Sequence, residues 1–472
     1  MESTYRAVKS RISDAARDSL GRVSWGLMDQ AASSLTNFAA GIVVARGLGV
    51  ADFGLFTIVW VTYLVALNLS RGVATDPLMV RYSAVSVADW RRGVAKSSGT
   101  AAAIGLLLGL LILVTGMVVG GVLGSGLVAL GVVLAGLLLQ DSWRFAFVAR
   151  GDGRSAFVND MVWGALLVPG LVIAGLHGTV FAFVLAWGLA GNLAAVVGML
   201  QARLLPQPQL ARAWCIENRT LSTRYAVENV SASGAGQIRM CGLGAIAGFA
   251  DVGAVRGAEL LMGPFYLIMM GLSLVSVSEA SRQLQVSRSR MLRFCALLGG
   301  VQAAAAVAWG LVILALPDSV GAFVLGDVWA PASHLLLPAA VSVIAAGLCT
   351  GGATGLRALG ASRRSLRAQL FHSAAYVIAS LTGALLSGAR GSFWGLAIAV
   401  SLSAVVFWIQ LLRGIRDAPS DPPTLQLPVI DMGENEDDMT GAEEAGLLGG
   451  GDETTNSPLP KAMTSLDHTT RR

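Results

Sequence analysis

The sequence predicts an all-α polytopic membrane protein of about twelve transmembrane helices, arranged as two six-helix bundles. Three observations predict it. Of 472 residues, 54% are hydrophobic and only 13% charged, against roughly 25% charged in soluble domains. Apolar runs close to the roughly 20 residues that a spanning helix needs recur along most of the chain. The basic residues gather on every second inter-span segment.

The apolar runs place spans at about 24–46, 53–72, 98–119, 123–147, 157–176, 178–202, 226–249, 253–279, 292–316, 332–356, 368–388 and 392–413. Residues 1–22 are a polar, basic segment with no short apolar stretch and cleavage site after it, so no removable signal peptide is expected. Residues 23–202 form the first bundle, 203–225 a cytoplasmic linker, 226–413 the second bundle and 414–472 a tail. The tail holds Pro422-Pro423 and the acidic run from Asp431 to Asp438, a composition that cannot bury a core and reads as disordered.

Arginines and lysines before the first span (Arg6 to Arg22), after the second (Arg71 to Lys96) and after each later even-numbered span lie on one side. The other side holds only Arg46, Arg256 and Arg390. By the positive-inside rule both termini are cytoplasmic. The basic balance therefore reflects topology, and no nucleic-acid partner is expected.

Nothing suggests catalysis. His177, His334, His372 and His468 are scattered, and no Ser/His/Asp set or metal-ligand spacing appears. Cys215, Cys241, Cys295 and Cys349 form no CxxC pair and read as small buried hydrophobes. A membrane glycosyltransferase or ligase needs a large loop with catalytic acids, and the outer loops are short. No enzyme activity, cofactor or metal is expected.

A shift of 199 residues lays Asp29-Gln30 on Glu228-Asn229 and Asp52-Phe53-Gly54 on Asp251-Val252-Gly253. An acid-amide pair near the start of a span, followed by Asp-x-Gly leading into the next, thus occurs twice. Two halves with six spans each keep the same orientation, and parallel repeats commonly hold substrate between them.

Gly47-Leu-Gly-Val-Ala-Asp-Phe-Gly-Leu-Phe56 resembles the loop between the first two helices of Wzx-type polysaccharide flippases, in the multidrug/oligosaccharidyl-lipid/polysaccharide (MOP) superfamily. Arg150-Gly-Asp-Gly-Arg154 fits the same family. The resemblance covers about residues 20–413. It implies two bundles related by a pseudo-twofold axis around a V-shaped central cavity, and alternating access. It also implies a place in the bacterial cytoplasmic membrane and in polysaccharide biosynthesis. The substrate it implies is an undecaprenyl-diphosphate-linked glycan, and the partners are membrane lipids and a polymerase or other polysaccharide-assembly proteins. A drug/cation antiporter of the same superfamily would instead need an acidic cavity.

Charges inside spans mark candidate sites, because ionisable groups at membrane depth face a bundle interior or water. Arg239, near the middle of the seventh span, shares a face with Glu228. It either grips the substrate diphosphate or pairs with a carboxylate to fix packing. Asp29, Gln30, Glu228 and Asn229 are candidates for the cavity wall. Asp141 and Arg144 either pair at i, i+3 or leave Arg144 at the inner mouth and Asp141 for ion coupling. Arg46, Asp52, Asp251 and Arg256 stand at the outer mouth as gate candidates. Gly105-x-x-x-Gly109 and Gly116-x-x-x-Gly120 are expected to serve helix packing.

Overall fold

A computed structural model describes residues 32–83 and 85–417, together with Met28. Asp29, Gln30, the basic N-terminal segment and the acidic tail lie outside the described residues. The described residues contain no strand. Helix α1 spans residues 32–47. Helix α2, Val50–Ser70, runs through a π-helical turn, Arg71–Thr75, into α3, Asp76–Tyr82. Then follow α4 (Val87–Val119), α5 (Gly121–Ala149), α6 (Gly153–His177), α7 (Val180–Ala202), α8 (Ala211–Ala247), α9 (Phe249–Val286) and α10 (Arg288–Leu314). Two short helices, α11 (Asp318–Leu325) and α12 (Trp329–Ser333), precede α13 (Leu336–Ala358). The last rod, Ser362–Asp417, breaks at Ser387 and Gly388, giving α14 (362–386) and α15 (389–417).

With α2 and α3 taken as one rod, twelve long helices remain, matching the twelve expected spans. Among the described residues eight rods, counting Val50–Tyr82 and the broken Ser362–Asp417 as one each, are long and apolar enough to cross a membrane. Helices α1, α8 and α9 complete the twelve. Helices α4 and α6 turn leucines and valines outward: Leu107, Leu110, Val118, Val172 and Leu176 are exposed, as lipid-facing positions should be.

Several helices start earlier than the apolar runs do. Hydropathy marks where the membrane begins, whereas caps mark where the helix begins. Ser86 accepts the Asp89 N–H at 3.2 Å and starts α4 well before its apolar stretch. The expected linker 203–225 is likewise mostly helix, because α8 begins at Ala211 just after Pro206 and Pro208. Trp214, Asn218 and Ser222, spaced i, i+4, i+8, are buried along one face of that extension. Trp214 Nε1 and Ser222 Oγ both donate to the Val73 carbonyl oxygen, at 3.1 and 3.0 Å, within the π-helical turn. The α4–α5 hairpin closes on small residues as expected. A Cβ on Gly109 would stand 2.6 Å from the Gly131 carbonyl oxygen, and one on Gly116 would stand 2.7 Å from that of Gly124.

The repeat has a physical expression. A Cβ on Gly54 would strike the carbonyl oxygen of Phe249, and one on Gly253 would strike that of Val50. The 199-residue shift takes 50 to 249 and 54 to 253. The starts of α2 and α9 therefore meet backbone to backbone in a self-complementary contact, as residues around a twofold axis must. One apolar core crosses this seam, joining Phe53 and Val59 to Val252, Val255 and Leu260. At the opposite, arginine-rich end the core divides in two. One cluster holds Leu78, Trp90, Trp143 and Trp214, the other Ala280, Met291, Cys295 and Phe407. Joined at one end and parted at the other, the two halves form the V, with α8 as a strap between them.

Either Gly54→Ala or Gly253→Ala should lower the thermal midpoint of the purified protein, because overpacking typically costs about 1–3 kcal/mol. The double variant should lose much less than the sum, since both changes break one contact. A fluorescence-monitored melt that returns fully additive losses would contradict a shared contact.

Candidate functional site

Two polar clusters lie in the interior, one in each half. The first is at mid-depth. Arg239 lies eight residues before the end of α8, and Glu259 ten residues after the start of α9, about 12 and 15 Å from the joined end of the V. The hydrocarbon core is about 30 Å thick, so both sit near its middle. Arg239 is fully buried. Its Nη1 donates to Glu259 Oε1 at 2.8 Å, its Nε to Ser392 Oγ at 3.4 Å, and the guanidinium lies 4.6 Å over the Phe393 ring. The other Glu259 oxygen accepts from Arg256 Nη1 at 3.5 Å. One carboxylate thus stands between two guanidiniums. Glu259 also borders a cavity of about 320 Å³ with Tyr266, Gln369, His372 and Tyr376. Arg256, one-third exposed at 33%, reaches instead toward the first half, where it shares a cavity of about 50 Å³ with Asn37, Trp60 and Trp187.

The second cluster lies deeper toward the arginine-rich end. Arg71, the first residue of the π-helical turn, holds Asp141 through both carboxylate oxygens: Nε to Oδ2 at 3.0 Å and Nη2 to Oδ1 at 2.6 Å. Arg144 pairs with Asp160 at 3.4 Å. Gln140 Nε2 donates to Asp160 Oδ1 at 3.0 Å. These groups line a cavity of about 520 Å³, together with Ser33, Asn37, Trp60, Tyr63 and Trp163. Two arginines here answer two aspartates.

Several expectations change in this geometry. Asp141 and Arg144 do not pair with each other. They sit one helical turn apart on α5, but closer partners arrive from other helices: Arg71 from α2 and Asp160 from α6. Arg239 answers Glu259, not Glu228, which is exposed on α8. Asn229 donates to Asp76 Oδ2 at 2.7 Å and so ties α8 to α3. Among the gate candidates, Asp251 Oδ2 accepts the Ala389 N–H at 2.7 Å and caps α15 after its break. Arg46 lies 4.7 Å over the Phe323 ring. Asp52 occupies the first turn of α2. Asp29 and Gln30 lie outside the described residues. Arg71 and Asp160 are site residues that span-by-span reading does not pick out. Arg71 looks like a flanking charge because the apolar run ends at residue 72, although its helix continues to Tyr82. Among the described residues no group of three His, Cys, Asp or Glu side chains is placed to hold a metal ion.

Removing one member of a buried ion pair leaves the other charge uncompensated, at a cost of about 3–5 kcal/mol. Arg239→Ala should therefore accumulate poorly in membranes and melt early. Arg239→Leu combined with Glu259→Leu should recover most of the loss. Full accumulation and normal melting of Arg239→Ala would show that the pair does not hold α8 to α9.

No protein-family model matches the chain, and no curated protein matches it. Solved structures do match. A multidrug resistance MATE family transporter of the MOP superfamily in its inward-facing conformation is 16% identical and aligns over 82% of this chain and 96% of its own, with a TM-score of 0.59. The lipid II flippase MurJ in an inward closed conformation is 12% identical over 83% of this chain and 87% of its own, with a TM-score of 0.60. A MATE crystal structure in complex with MaD3S is 16% identical over 83% and 94%, with a TM-score of 0.51. The chain has the fold of MOP superfamily transporters.

Proposed function

We propose that the protein is a flippase that moves undecaprenyl-diphosphate-linked oligosaccharide or polysaccharide precursors across the bacterial cytoplasmic membrane by alternating access. The observation that supports this reading is the sign of the interior charge. At mid-depth two guanidiniums, Arg239 and Arg256, face one carboxylate, Glu259. In the first half Arg71 and Arg144 pair with Asp141 and Asp160. At mid-depth, at the seam between the halves, the sum is positive. A diphosphate gains from an uncompensated guanidinium through charge-assisted, bidentate hydrogen bonds. A hydrophobic cation would be repelled by it, which counts against drug antiport.

On this reading Arg256 is the group that meets the diphosphate, because it is partly exposed and lies at the seam between the halves. Arg239 is a positioning residue: it holds Glu259, and Glu259 in turn orients Arg256. The polyprenyl tail stays in lipid against the apolar outer faces. The arginine-rich end faces the cytoplasm under the positive-inside rule, so the V opens inward, toward the side on which the lipid-linked precursor is made.

Arg256→Ala should insert and accumulate normally yet lose translocation. Its affinity for undecaprenyl diphosphate, measured by thermophoresis on purified protein, should fall roughly ten- to a hundredfold, matching the loss of a charge-assisted bond of about 1.5–3 kcal/mol. Arg256→Lys should retain part of the binding, since the charge remains and the fork is lost. Unchanged affinity in Arg256→Ala would remove Arg256 from the substrate path.

A further inference from the structure

We propose that the cavity of about 520 Å³ in the first half is a saccharide subsite, which seats the sugar residues next to the diphosphate while Arg256 holds the phosphates. This rests on the flippase reading and specifies which part of the substrate goes where. The volume falls within the roughly 300–1,000 Å³ of small-ligand sites.

The wall of the cavity has the chemistry that carbohydrate needs. Trp60, Tyr63 and Trp163 supply aromatic rings for the C–H faces of a sugar. They are packed into one block with Trp187: ring centroids are 4.9 Å apart for Trp60–Trp187, 4.7 Å for Tyr63–Trp187 and 6.5 Å for Trp163–Trp187. A block of this kind is rigid and keeps its faces in place. Ser33, Ser34, Asn37, Gln140 and the two Arg–Asp pairs provide donors and acceptors around it.

An aromatic box with two aspartates resembles a cation site. Here, however, Arg71 and Arg144 pair with Asp141 and Asp160, and the wall offers donors as well as acceptors, which suits a polyhydroxyl ligand.

The placement is continuous with Arg256. Asn37 and Trp60 line both the large cavity and the small one that Arg256 borders. A glycan extending from a diphosphate at Arg256 therefore meets Trp60 first.

The test compares binding of undecaprenyl diphosphate with binding of undecaprenyl-diphosphate N-acetylglucosamine, on purified full-length protein. Wild type should bind the sugar-bearing lipid roughly tenfold more tightly, the scale of one or two added neutral hydrogen bonds. Trp163→Leu and Trp60→Leu each remove a stacking face. Each should reduce that ratio toward one. Because the gain is a ratio measured on one variant, a general loss of folded protein cancels. Equal affinity of wild type for the two lipids, or a gain that survives both substitutions, would overturn the subsite and leave the flippase reading standing. Binding of tetraphenylphosphonium that either substitution abolishes would assign the box to cations and also overturn the subsite. Failure to bind either lipid would overturn both the flippase reading and the subsite.

Discussion

A guanidinium with no exposed surface at the middle of a membrane helix has to be answered by an acid, and much of the second half is arranged around that requirement. Arg239 on α8 finds Glu259 on α9, Ser392 and Phe393 on α15. Three helices are thereby held at one depth. The same carboxylate reaches Arg256 and so leaves one positive charge directed at the first half. Helices α8 and α9 carry these charges along the seam, while α4 and α6 carry the lipid-facing leucines and valines.

The second constraint is steric. Gly54 and Gly253 let the starts of α2 and α9 meet with no side chain between them. This contact lies at the joined end of the V, whereas the two apolar cores part at the other end. Opening the other way requires the glycine contact to separate and the parted ends to approach. The strap α8 spans both regions. Its first turns pack on the π-helical turn of the first half through Trp214 and Ser222, and its last turns belong to the second half through Arg239.

The count of spans is legible in the sequence because apolar runs report membrane thickness directly. The twofold relation is legible because the meeting of two equivalent helix starts demands glycine at equivalent positions, and Asp-x-Gly appears twice. Helix ends are less legible: α4 and α8 extend far into polar sequence, governed by Ser86 and by Trp214, Asn218 and Ser222. The partners of the interior charges are mostly not legible; Arg256 with Glu259, at i, i+3 on α9, is the local exception. Spacing along one helix suggests Asp141 with Arg144 and aligns Arg239 with Glu228. In the folded chain the nearest opposite charges come from other helices, at distances in sequence that no local pattern encodes. The aromatic block is hidden for the same reason: Trp60, Tyr63, Trp163 and Trp187 come from three helices and read singly as apolar residues.

The central claim is that the excess guanidinium at the seam carries an anionic lipid. Reconstitution of the purified protein into sealed vesicles tests it most directly. The vesicles hold a fluorescent undecaprenyl-diphosphate saccharide whose label on the outer leaflet is quenched by dithionite. The account predicts that the protein makes the inner-leaflet label accessible, and that the same vesicles show no protein-dependent movement of tetraphenylphosphonium. Movement of the cation with the lipid label still protected would contradict it.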